Sequence, residues 1–300
     1  MHKKIKYLIF FLLVSFVGQA QKPSHMSINH IPLDFDLLTF SVLPGDSLLI
    51  KSENAQNISL SLVGGGAKEL TKDYYWVAPQ EPGFHLITLS NGEESRRVRF
   101  VVMKTMKEIV ASTNDFRIDA YPKKPYKNLP QYRAPKGMIE VTKANMDTYI
   151  SKHFQLKDFL CKQQSSYPKD VIISPKLLYK LELIISKLHE NNYPVVNMHI
   201  MSGYRTPYYN AKIGNGKSSR HIYGDAADIF VDNDENRAMD DLNKDGKINI
   251  HDARILAKIV EEIDGNPKYK WMLGGLGVYS GNGAHQGFIH VDTRGYKARW

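Results

Sequence analysis

The sequence predicts an α+β protein in two folded parts, a strand-rich N-terminal unit followed by a unit of helices and a few strands. Three observations carry this. Short apolar stretches recur between turn signals from about residue 27 to 104, prolines crowd a stretch from about 105 to 137, and apolar residues then repeat at helical spacing. A chain of 300 residues suits two domains, at roughly 100–200 residues each.

The apolar stretches of the first part are Leu48 to Ile50, Ile58 to Val63, Phe84 to Leu89 and Val98 to Met103. Between them stand Pro44-Gly45-Asp46, Gly64-Gly65-Gly66, Pro82-Gly83 and Asn91-Gly92. Asn-Gly between apolar runs is a hairpin signal, and short strands at regular spacing suggest a sandwich. Residues 21–105 are therefore read as an immunoglobulin-like β-sandwich, an accessory domain without catalytic residues. Residues 106–137 hold Pro122, Pro125, Pro130 and Pro135 among lysines and tyrosines. That density forbids helix interiors, so this is a linker whose tyrosines are placed to wrap the next domain. In residues 138–300, Ser174-Pro175 opens a helix as N-cap and first helical residue. Leu177, Leu178, Leu181, Ile184, Ile185 and Leu188 give that helix one buried face. Strands are expected over Val195 to Met201, Ala226 to Val231 and Gly287 to Asp292.

The first twenty residues stand apart. Lys3, Lys4 and Lys6 precede an apolar run from Tyr7 to Val17, and Gly18-Gln19-Ala20 offers small residues at −3 and −1 of a cleavage site. This is the layout of a secretory signal peptide, too short in its apolar run for the roughly 20 residues of a spanning helix. Residues 1–20 are thus expected to be removed on export to the periplasm or cell surface, leaving no stable membrane anchor. Cleavage lowers the formal charge from +9 to +6 by removing three lysines. A moderately basic exported protein is drawn to anionic surfaces such as cell-wall polymers. No concentrated basic stripe with interleaved aromatics is present, which argues against nucleic acid. Cys161 is the only cysteine; it can form no intrachain disulfide and reads as a small buried hydrophobe.

Two segments carry metal chemistry. In the run from Ser219 to Asp228 a histidine, His221, enters a loop, Gly224 turns the chain, and Asp228 sits on the following strand. In Gly287 to Asp292, strand alternation puts His290 and Asp292 on one face and Ile289 and Val291 on the other. Two imidazoles and a carboxylate are suitable zinc donors, and three protein ligands leave a fourth position for water, the catalytic arrangement.

Residues 142 to 300 resemble the zinc D-alanyl-D-alanine carboxypeptidase and endopeptidase family, whose fold is shared with the hedgehog signalling domain. The matching segments are Ser202-Gly203-Tyr204-Arg205-Thr206-Pro207, the Ser-x-His-x-x-Gly-x-Ala-x-Asp stretch from Ser219 to Asp228, and Gly287 to Asp292. Thr293-Arg294-Gly295 and Ala298-Arg299-Trp300 resemble a peptidoglycan-peptidase branch. The resemblance implies a small antiparallel sheet with helices, His221, Asp228 and His290 as zinc ligands, and stem peptides of peptidoglycan as substrate. It nominates Arg205 as the cation that meets the developing oxyanion, and Ser219 and Tyr204 as substrate contacts. Many members carry an acid three residues before the last zinc histidine; here that position is Gly287. Asp292 and His285 stand equal as substitutes for that base, Asp292 having the alternative role of orienting His290. The missing acid leaves a second reading, a wall-binding or signalling module that keeps the zinc fold without turnover. A third makes the N-terminal unit the functional part, binding glycan or protein.

A second metal signal lies in an insertion at about 233–266. Asp241, Asn243, Asp245, Asn249 and Asp252 fall at positions 1, 3, 5, 9 and 12 of a calcium-loop pattern, with Gly246 at 6 and the Lys247 carbonyl at 7. The spacing resembles a dockerin half-repeat, and Ile248 is expected to pack inward ahead of a helix through Ile255, Leu256, Ile259, Val260 and Ile263. A structural calcium clip is expected, not a cohesin-binding module.

Overall fold

The computed structural model describes residues 23–53, 57–62, 67–71, 73–110, 115–282, 285 and 287–300. The expected signal peptide, residues 1–20, and the turn at 64–66 lie outside the described residues. Among those described, no helix is long and apolar enough to cross a membrane.

Residues 26–102 form strands β1 (Met26–Ile28), β2 (Ile31–Pro32), β3 (Leu37–Val42), β4 (Ser47–Ser52), β5 (Asn57–Leu62), β6 (Ala67–Thr71), β7 (Asp73–Val77), β8 (Gly83–Ser90) and β9 (Ser95–Val102). They make two sheets, in the orders β2-β1-β4-β7 and β3-β9-β8-β5-β6. Alternation explains the packing. Ile87 and Leu89 on β8 and Val98 and Phe100 on β9 are all buried, because every second side chain faces the opposite sheet. Trp76 of β7 meets Phe100 across the sheets, with ring centroids 4.7 Å apart.

This β unit is not separate from the C-terminal part. Thr39 on β3 donates its hydroxyl to the Ile150 carbonyl at 2.7 Å, and Phe35 packs edge-on against Tyr179 at 5.0 Å. One continuous apolar core runs through both parts. The intervening chain has β10 (Lys104–Thr105) and helix α1 (Met106–Val110). Its tyrosines lie on the second part: the Tyr121 hydroxyl is hydrogen-bonded to that of Tyr204 at 2.9 Å, and Tyr132 is buried against Arg220, whose guanidinium lies 4.2 Å from the ring centroid.

The second part contains β11 (Gly137–Val141), β12 (Lys169–Val171), α2 (Pro175–Glu190), β13 (Met198–Ser202), α3 (Pro207–Lys212), β14 (Ala226–Val231), α4 (Ile250–Gly265), β15 (Gly275–Tyr279), β16 (Phe288–Asp292) and β17 (Ala298–Arg299). With the β unit before it, this makes a mixed α+β chain. Helix α2 forms where the leucine and isoleucine spacing demanded it, although Ser174 makes no side-chain cap hydrogen bond. The central sheet runs β13-β14-β16-β15-β17. Ala227 and Ile229 of β14 pair with Val291 and Ile289 of β16, and that apolar face is covered by α4 and, beyond it, α2. Alternation turns Asp228 and His290 to the opposite face, as direct cross-strand neighbours.

Candidate metal centre

The site is built from register. Asp228 pairs with His290 across β14 and β16, and with Ser202 across β13 and β14. His221 arrives from the short 3-10 turn Arg220–Tyr223, which ends at Gly224 in the left-handed conformation with φ 71°. A side chain at 224 would place its Cβ 2.2 Å from the Ile172 carbonyl oxygen. Only glycine allows this close turn, and the turn is what carries His221 back over the sheet. Arg220 locks it, pairing with Asp225 through Nε at 2.9 Å and lying between the Tyr132 and Tyr223 rings.

Three ligand atoms converge here, one each from His221, Asp228 and His290, all buried. His221 Nε2 lies 3.2 Å from Asp228 Oδ1 and 3.2 Å from His290 Nδ1, and His290 Nδ1 lies 2.9 Å from the same Asp228 oxygen. The outer ring nitrogens are held from behind. His221 Nδ1 donates to the Gly203 carbonyl at 2.7 Å, and His290 Nε2 faces Asp292 Oδ2 at 3.2 Å. With protons on those outer nitrogens, two imidazole lone pairs and a carboxylate oxygen point at one spot, an arrangement that requires a cation. The donor set therefore fits zinc.

The electrostatics agree. Burial lowers His221 and keeps it neutral. Burial alone would lower His290 too, but its hydrogen bonds to Asp228 and Asp292, and their charges, push it up to about 9. Burial works to raise Asp228, while the charge and hydrogen bond of His221, with those of His290, hold it well below the carboxylate range. The trio is thus competent to hold one positive charge, proton or metal.

Arg205 joins the site by donating from Nη2 to Asp228 Oδ2 at 2.5 Å and from Nε to the Ser202 hydroxyl at 2.8 Å. It braces the carboxylate and also lines a cavity of about 520 Å³ with Ser202, Lys162, His199, Arg237 and His285. Asp292 is fully buried behind the His290 ring. Its oxygens accept from the Gly275 amide at 2.7 Å and from Arg294 through backbone, Nε and Nη2. So saturated, it orients the imidazole and has no lone pair turned to the cavity. Asp292→Asn is expected to weaken zinc affinity by about 10–100-fold while leaving the fold intact, measured by competition with a chromophoric chelator; an unchanged affinity would count against the orienting role.

Two expectations need correcting. Tyr204 is only 1% exposed and its hydroxyl is spent on Tyr121, so it is a structural post and not a substrate contact. Ile248 is 52% exposed and does not pack inward. Ser219 is half-buried at the start of the His221 turn. Cys161 is buried, its sulfur accepting from the Thr206 amide at 3.5 Å. At the Asp241–Asp252 loop, Gly246 takes φ 81° as the pattern demands. The carboxylates, however, accept the loop's own amides: Asp241 from Asp245 and Gly246, Asp245 from Lys247, and buried Asp252 from Leu242, Asn243 and Asn249. Asn249 likewise caps α4 through the His251 amide. That geometry lends the calcium reading no support. Lys162, His199 and Arg237 escaped the sequence reading, since none falls within a metal-ligand pattern.

A sheet face carrying a buried His-Asp-His trio beside a polar cavity has the donor set of a metal centre with a position left open. Residues 152–249, which include His221 and Asp228, match the family model of Peptidase M15. The match covers about a third of the chain and is to a family of zinc-dependent peptidases, which supports a metallopeptidase centre in this part. Comparisons with curated proteins and with solved structures gave no match.

Proposed function

We propose that the protein is an exported zinc peptidase that hydrolyses a peptide bond in peptidoglycan stem peptides or crosslinks. The observation that carries this reading is the convergence of one buried ligand atom each from His221, Asp228 and His290, the first two within the peptidase-family segment. Zinc held there supplies Lewis acidity toward the scissile carbonyl and a more acidic attacking water. The chain's own groups do the rest. His221 and His290 are fixed in tautomer by Gly203 and Asp292. Arg205 holds Asp228 and turns its guanidinium edge to the cavity, where a cation stabilises negative charge growing on a carbonyl oxygen. His285 lines that cavity and is the remaining proton carrier of the two expected, now that Asp292 is committed to His290.

One observation favours the non-catalytic reading. The place of the family's acid is filled: a Cβ at Gly287 would meet the Met239 methyl at 2.8 Å. The two readings separate on purified peptidoglycan. The zinc peptidase releases new amino termini and altered muropeptides, loses this on chelation and regains it with zinc. A protein that sediments with the wall, holds zinc and releases nothing is the binding module instead.

A further inference from the structure

Beside the trio, the cavity of about 520 Å³ is lined by Lys162, His199, Met201, Ser202, Arg205, Tyr209, Phe230, Arg237 and His285 among others, and no acidic side chain among the described residues lines it. Lys162 comes from the chain just after the buried Cys161, and Arg237 from the loop after β14. Arg205 is paired with Asp228. Neither Lys162 nor Arg237 makes an ion pair or a side-chain hydrogen bond among the described residues. Partial desolvation first, then the charge of Arg205, pulls the Lys162 ammonium below its ordinary value; Asp228 opposes this and Arg237 adds to it. Placing unneutralised like charges around one concavity costs free energy unless an anion completes it.

We propose that Lys162 and Arg237 form a carboxylate-binding subsite that positions the substrate beside the metal centre. The inference rests on the peptidase reading and sharpens it: the peptide cut carries a free carboxylate close to the scissile bond. That group is a C-terminal carboxylate or an acidic side chain, such as that of a glutamyl residue, and the two share the recognition chemistry. Arg237 offers a two-pronged donor matched to a carboxylate and Lys162 a point charge. Both side chains are exposed, so their replacement leaves the core untouched.

The test uses three short N-acetylated peptides on the zinc-loaded full chain. One has only a C-terminal carboxylate, one only a glutamyl side-chain carboxylate with an amidated C-terminus, and one has neither. Binding is read by calorimetry, so the result stands even if no peptide is turned over; KM and kcat are read where turnover occurs. The peptide without a carboxylate is expected to bind about tenfold more weakly than at least one of the others, as expected for a lost charged hydrogen bond. That gap closes in Lys162→Met/Arg237→Met, with KM rising and kcat held, and it shrinks with added salt. Whichever acidic peptide shows the gap identifies the source of the carboxylate. Equal binding of all three peptides, or a gap that survives in the double variant, overturns the proposal. If binding follows the expected order but no peptide is cut, the subsite stands and the peptidase reading falls.

Discussion

His221→Ala is expected to lose zinc and, with it, roughly 10³-fold of peptidase activity, since metal Lewis acidity supplies several kcal/mol and each 1.36 kcal/mol is tenfold. The structural basis is that His221 contributes one of only two imidazole lone pairs in the trio, with its Nε2 3.2 Å from both partners. Neither neighbour can take over. Arg205 is a cation already bound to Asp228, and Asp292 stands behind His290. The fold should survive, because the turn around His221 is held mainly by the Arg220–Asp225 pair and the Gly224 conformation, the imidazole adding one bond to the Gly203 carbonyl. Metal analysis and a thermal midpoint near that of the native zinc-free protein check both halves. Full zinc content in the variant contradicts the assignment.

Gly224→Ala is the second large effect, and it acts on the fold. At φ 71° an L side chain pays the left-handed penalty of about 1–2 kcal/mol. The added Cβ would also lie 2.2 Å from the Ile172 carbonyl oxygen, on a segment tied to this turn by the Ser174 amide, which donates to the Gly224 carbonyl at 2.8 Å. Together these place the loss at roughly 3 kcal/mol or more, a fall in the thermal midpoint of about 6–12 °C for a chain of this size. Zinc affinity should fall as well, because the backbone that must shift also carries His221. A variant with a native midpoint and native zinc affinity would refute the close-turn account.

Where periodicity was strong, the sequence was readable: α2, β14 and β16 all form where apolar spacing placed them, and strand alternation alone put His290 and Asp292 on one face. The metal trio was legible because its members sit in short motifs. Asp292 was legible as a neighbour of His290 but not in its role, which depends on Gly275 and Arg294 saturating its oxygens. Tyr204 was misread because burial by Tyr121, 83 residues away, leaves no local trace. The cationic cavity was invisible for the same reason: Lys162, His199 and Arg237 come from three separate segments, and only the fold brings them round one hollow. The continuity of the core from β3 to α2 was likewise hidden, since Phe35 and Tyr179 are ordinary apolar residues until the fold places them in contact.

The position of the metal decides whether the trio is the working centre. Anomalous diffraction at the zinc edge, from crystals of the zinc-loaded protein, tests this most directly. The prediction is one strong peak bounded by His221 Nε2, Asp228 Oδ1 and His290 Nδ1, with Asp292 still behind the His290 ring. A peak coordinated elsewhere, or none at this trio in a protein shown to bind zinc, would contradict it.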